Sequence, residues 1–133
     1  MSWYKKSQSS NFFYSLSLLR PKIAQSAQNV YDDWAEDDMI SGSGGICDEI
    51  ANAIADVIHS NIDEVETVDG GQEGDDHAWV IAHNGTEVYG VDIPHQIYER
   101  GGGYNWVKIP GVTFQPNHVE IRKLDININN LER

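Results

Sequence analysis

The pattern of apolar and polar positions divides the chain into a helical first half and a strand-rich second half. From Pro21 onward, Ile23, Ala24, Ala27, Val30, Tyr31 and Trp34 recur at helical spacing. Proline suits the first turn of such a helix, where its missing N–H leaves nothing unpaired. The spacing predicts a helix that ends in the acidic run "EDD" at 36–38, followed by a flexible joint, "SGSGG", at 41–45. A second helix is expected over about 46–60, because Ile46, Ile50, Ala53, Ile54, Val57 and Ile58 form one stripe.

Beyond that helix, "EVETV" at 64–68 reads as a strand and "DGGQEGDD" as a polar loop. "HAWVIAHNGTEVYGVDI" is two β-rich runs joined by Asn84-Gly85, a favoured pair for a two-residue hairpin turn. "ERGGGYNW" is a second glycine-rich loop, and "VKIPGVTF" and "HVEIRKL" read as further strands. Residues 1–10 and 125–133 are polar and expected to be loosely held. Helices first and mostly antiparallel strands afterwards predict one α+β domain over 1–133.

Composition narrows the function classes. The 133 residues suffice for one core but not two, and 40% hydrophobic with 23% charged residues is an ordinary globular balance. A formal charge of −12 opposes nucleic acid and anionic lipid, and favours a basic partner or simple solubility. The single cysteine excludes an internal disulfide and a multi-thiolate zinc site, and fits a reducing compartment. "NFFYSLSLL" is too short and too rich in serine for a signal peptide, and it runs into Arg20-Pro21-Lys22. No apolar run is long enough to cross a bilayer, so a soluble, cytoplasmic protein is expected. His83, His95 and His118 lack ligand spacing, and the acids of "DGGQEGDD" do not follow a calcium-loop pattern. No metal or cofactor is therefore expected.

The candidate chemistry centres on Cys47 in "GGICDEI". It lies in the first turn of its helix, where unpaired N–H groups and the macrodipole favour an anion, although Asp48 and Glu49 oppose a second one. With Asn84 and Gly85 as the turn residues, His83 faces Thr86, Ile81 faces Val88, Trp79 faces Gly90 and His77 faces Asp92. Residues directly opposite on one face have Cβ atoms roughly 4.5–5.5 Å apart, so the turn would set a carboxylate beside the imidazole. Cys47, His77 and Asp92 then have the composition of a thiol triad: nucleophile, proton acceptor and orienting carboxylate. Gly44 and Gly45 would leave room for substrate at the sulfur, and Trp79 would shield the imidazole–carboxylate pair. Tyr104 and Trp106 would form a groove rim.

"GGIC" opening a helix, "HAWV" opening a strand and "DIP" on the next strand resemble the transglutaminase-like branch of the papain-like cysteine peptidase superfamily. The resemblance spans roughly residues 44–94. It implies a central helix carrying the cysteine, packed on a small antiparallel sheet. It also implies Cys47 as nucleophile, His77 as general base and acid, and Asp92 as orienter, acting on an amide of a protein or peptide through a thioester. Family members carry an upstream oxyanion donor, for which Gln25, Gln28 and Trp34 are candidates that spacing does not separate. Hydrolysis is the leading expectation, and crosslinking or deamidation would use the same residues. The competing expectation is a non-catalytic acidic module, or an inhibitor that occupies a basic site on its partner. In both, Cys47 is an ordinary buried residue.

Overall fold

In a computed structural model of the chain, residues 3–34, 46–70, 78–101 and 106–127 are described, with side chains from residue 11 onward. Three helices precede the strands: α1 (Trp3–Leu18), α2 (Arg20–Asp33) and α3 (Cys47–Asn61). The first of these is absent from the hydrophobic reading. Phe12, Leu16 and Leu19 are buried at i, i+4 and i+7, but Phe13, Tyr14 and Leu18 are apolar too and exposed. A stretch that is apolar on every side shows no stripe. Leu19 is the hinge, its N–H bonded to the Leu16 carbonyl and its own carbonyl accepting from Ile23.

α2 and α3 follow the expected spacing and pack on each other. α2 buries Ile23, Ala24, Ala27 and Tyr31, and α3 buries Ile50, Ile54 and Ile58 along one face. Each fully buried isoleucine contributes about 1.5–3 kcal/mol of transfer free energy. α2 stops at Asp33, short of the acidic run, because Trp34 turns to extended backbone. The Trp34 carbonyl, exposed at that end, accepts a hydrogen bond of 2.9 Å from Lys108 Nζ, which also sits 4.4 Å from the centre of the Tyr31 ring. A cation there complements the negative end of the helix.

The strands are β1 (Glu66–Asp69), β2 (Val80–His83), β3 (Val88–Asp92), β4 (Glu99–Arg100), β5 (Val107–Lys108) and β6 (Glu120–Lys123). Four of them form an antiparallel sheet in the order β1-β2-β3-β6, and β4 pairs with β5 as a separate ribbon. Val80, Ala82, Tyr89, Val91 and Ile93 join the core that the helices share. Ile81, His83 and Val88 are buried on the other face. The architecture is α+β, as the order of elements predicts.

"VKIPGVTF" departs from the expectation of a full strand, since only Val107 and Lys108 pair. The rest is held by side chains of α2. Gln28 donates to the Val112 carbonyl (3.1 Å) and accepts from the Phe114 N–H (2.8 Å). The Tyr31 hydroxyl donates to the Ile109 carbonyl and accepts from the Val112 N–H. A helix thus supplies what a neighbouring strand would have supplied.

The hairpin register differs from the sequence expectation by two residues. His83 faces Val88, Ile81 faces Gly90 and Val80 faces Val91. The cause lies in the turn. Asn84 is not a central residue, because its N–H bonds the Glu87 carbonyl and its side-chain oxygen accepts from Thr86 and Glu87 at 3.0 and 2.8 Å. Gly85, with φ of 91°, takes the first central position and Thr86 the second, an arrangement of the II′ kind. A two-residue displacement keeps every side chain on its face but changes its opposite number. Continued by one step, this register puts Trp79 opposite Asp92, where the sequence expectation had His77. His77 itself lies outside the described residues.

Candidate active site around Cys47

Cys47 is the first residue of α3, preceded by Ile46 at a cap position with no side-chain hydrogen bond. The helix is closed there by backbone alone, Ile50 N–H to Ile46 O at 3.0 Å. Ile46 is buried and anchors the helix start, which leaves Cys47 only 8% exposed, while Asp48 and Glu49 face solvent. Acidic side chains in a first turn suit the helix dipole.

Asp92 ends β3, half-buried and directly opposite Glu120 of β6. Strand alternation gives it the face of Val88 and Gly90, turned away from α3. Tyr98 follows a 3-10 turn, His95–Ile97, and is fixed by Tyr98 N–H to His95 O (3.1 Å) and Ile109 N–H to Tyr98 O (2.9 Å). Its ring stands edge-on to Phe114 at 5.9 Å. The side chain is wholly buried, and among the described residues its hydroxyl has no hydrogen-bond partner. Burial raises its pKa well above the ordinary tyrosine value, and the charges of Glu99, Cys47, Asp92 and Asp48 raise it further. Cys47 and Asp92, distant in sequence, both contribute to the field at this buried hydroxyl.

The three oxyanion candidates separate clearly. Gln25 is exposed and bonded to Asn29 on the next turn of α2. Gln28 is committed to the 112–114 backbone and to Asp32. Trp34 is buried, and its indole N–H has no partner among the described residues. Of the groove candidates, Gly44, Gly45 and Tyr104 lie outside the described residues. Trp79 has its indole pressed against the Cα positions of Gly70 and Gly90. Trp106 is buried, edge-on to His95 at 4.8 Å.

An open groove of ≈ 550 Å³ runs along α3 from the residue after Cys47. Ala51, Ala55 and Ala78 line it with small apolar surfaces, and Asp48 and Asp69 contribute carboxylates at its sides. Ala51 stands one turn beyond Cys47 on the same helix face, but Cys47 itself is not among the lining residues.

Two features escape the sequence reading. His95 and Glu99 are buried together, with Nδ1 and Oε1 3.5 Å apart. The only signal is the i, i+4 spacing in "HQIYE", and no helical pattern marks that segment. Tyr98, between them, carries no signal at all. Among the described residues no group of three His, Cys, Asp or Glu side chains could hold a metal ion, and no helix is long and apolar enough to cross a membrane. The chain matches no protein-family model, no curated protein and no solved structure.

Proposed function

We propose that this protein is a thiol acyl-transfer enzyme of the transglutaminase-like, papain-like kind, acting on an amide of a protein or peptide, with hydrolysis as its reaction. Cys47 is the nucleophile, His77 takes the thiol proton and later delivers it to the leaving amine, and Asp92 fixes the imidazole. The thiolate attacks the amide carbonyl, the C–N bond breaks to give a thioester, and water releases the acid. The observation that carries the reading is the place of Cys47 in the first turn of α3. Supporting it is the groove that runs along the same helix from Asp48 onward. Trp34, whose buried N–H has no partner among the described residues, is the oxyanion donor in this reading. The same residues would serve crosslinking or deamidation if an amine displaced water or if the amide were a glutamine side chain.

The test is the pH dependence of Cys47 alkylation by iodoacetamide, in the wild type and in His77→Ala. A rate near its plateau already at neutral pH, and lost without His77, supports a working thiolate–imidazolium pair. A simple rise at alkaline pH that His77→Ala leaves unchanged refutes it.

A second reading has its own observation. Cys47 is 8% exposed, and Asp92 belongs by alternation to the opposite sheet face, which suits a non-catalytic acidic module. That module would show the second alkylation result and bind basic peptides with strong salt dependence, indifferent to Cys47→Ala.

A further inference from the structure

The groove along α3 owes its depth to three alanines, Ala51, Ala55 and Ala78, and its lining includes the carboxylates of Asp48 and Asp69 and no basic side chain. Two smaller cavities each carry a lysine, Lys108 in one and Lys22 in the other. The groove differs from them in the sign of the charge it presents. A cation entering it meets no competing cation in its walls, in a chain with 21 acidic residues against 9 basic ones.

The wall facing α3 is formed in part by β1, which lies at an edge of the four-stranded sheet. Gly70 N–H bonds the Trp79 carbonyl at 2.7 Å, and the register pairs Val68 with Ile81 and Glu66 with His83. Bonded and non-bonded pairs alternate along an antiparallel ladder, so Glu66, Val68 and Gly70 direct their backbone groups to β2. Those of Thr67 and Asp69 point outward, and among the described residues no strand pairs with β1 on that side. His59 Nε2 and Thr67 Oγ1, 2.8 Å apart, tie the last turn of α3 to β1. The strand therefore runs back along the helix and carries Asp69 toward Asp48. A second copy of the chain does not suit this edge, because β1 paired antiparallel with itself about its centre sets Glu66 against Asp69.

We propose that the groove and the outer edge of β1 together bind an extended basic segment of a partner protein, which adds to the sheet as a further strand. Main-chain hydrogen bonds at Thr67 supply affinity, and the groove supplies the choice of side chain. A lysine or arginine lays its aliphatic stem along Ala51, Ala55 and Ala78, and its cationic head reaches Asp48 and Asp69. Side chains two apart on a strand share one face, so the segment presents its cations at every second residue. The site stands on the groove, the strand edge and the charge, and it holds whether or not Cys47 is a nucleophile.

The probe is a short peptide of alternating threonine and lysine, titrated by calorimetry into the wild type, Asp48→Asn, Asp69→Asn, Ala55→Leu and Asp125→Asn. Asp125 is exposed and outside the groove, so its variant loses the same charge without touching the site. Thermal unfolding is measured for each protein, and if Ala55→Leu melts early the two aspartate variants carry the test. The wild type is expected to bind, Asp48→Asn and Asp69→Asn each about threefold more weakly, and Asp125→Asn as well as the wild type. Ala55→Leu, which fills the floor, should weaken binding more than either aspartate variant. The same peptide N-methylated along its whole length keeps its charge, lacks its N–H donors and should bind about tenfold more weakly. Absence of binding to the wild type overturns the proposal, as does an equal loss in Asp125→Asn, which reduces the effect to net charge. Undiminished binding of the N-methylated peptide overturns it by removing the strand pairing. A dimer in sedimentation that the peptide takes apart also overturns it, since the occupant of the edge is then a second copy.

Discussion

The indole of Trp79 lies so close to Gly90 that a Cβ on that glycine would sit 2.9 Å from Cζ3. Gly70, just past the end of β1, is tighter still, with 2.4 Å to Cδ2 and Cε2. The tryptophan occupies a slot that exists only because both neighbours lack side chains. Gly70→Ala should therefore destabilise the fold by about 1–3 kcal/mol, and Gly90→Ala by less, through overpacking. Urea unfolding checks this. In Trp79→Ala the Gly70→Ala penalty should largely disappear, and strict additivity of the two substitutions would show that the contact does not matter.

Gln28 was one of three candidates for an oxyanion donor, and its amide is spent on the backbone of residues 112–114. Gln28→Ala leaves a carbonyl and an N–H without partners in a half-buried place. A loss of about 2–3 kcal/mol is expected, with Cys47 alkylation per folded molecule unchanged. A Gln28→Ala protein that is fully stable but chemically slow would reverse both statements.

Asp92→Asn keeps the shape of the side chain and removes its charge. If Asp92 supports the imidazolium of a working pair, the substitution slows Cys47 alkylation at neutral pH by about tenfold. If the carboxylate acts on the thiol only by repulsion, the rate rises instead. Stopped-flow alkylation at one neutral pH gives the sign, and the sign alone separates the two roles.

Alkaline stability follows from Tyr98. Its folded-state pKa lies above the ordinary 10.0, so the native state holds a proton that the unfolded chain releases. The contribution is complete below pH ~10 and is lost as pH rises beyond it, by up to about 1.4 kcal/mol per pH unit. Tyr89, raised by burial and by Glu87, adds in the same direction. Denaturant unfolding from pH 9 upward should show a decline that is shallower in Tyr98→Phe. An identical slope in that variant would mean that the hydroxyl reaches water before the chain unfolds.

Much of the scaffold could be read from spacing alone. α2 and α3 announce themselves through stripes that end in Tyr31 and Ile58, and the sheet faces of the hairpin follow from alternation whatever the turn. What could not be read is instructive. Asn-Gly is compatible with two placements of the turn, and the choice fell to the Asn84 side chain, which bonds the backbone and so leaves the centre to Gly85 and Thr86. α1 hides because Phe13, Tyr14 and Leu18 blur the stripe made by Phe12, Leu16 and Leu19. Residues 110–114 look like a strand because Val112 and Phe114 alternate, yet among the described residues no strand pairs with them. Of the candidate site, Cys47 and Asp92 stand out in the sequence by residue type. Tyr98 does not, because its burial depends entirely on what folds around it.

The conformation of that last segment is stored in a different part of the chain. Gln28, Tyr31 and, through Lys108, the end of α2 grip the backbone between 108 and 114, while the side chains of Pro110 and Thr113 take no part in the hydrogen bonds that hold it. Instructions for the path are thus carried by the helix, and the segment is largely a passenger. The exposed Thr113 can change identity without altering the route of the chain, whereas Gly111, at φ 76°, holds a backbone conformation that other residues rarely adopt. Such an exposed position is an address on the surface that can be rewritten while the foundation stays untouched.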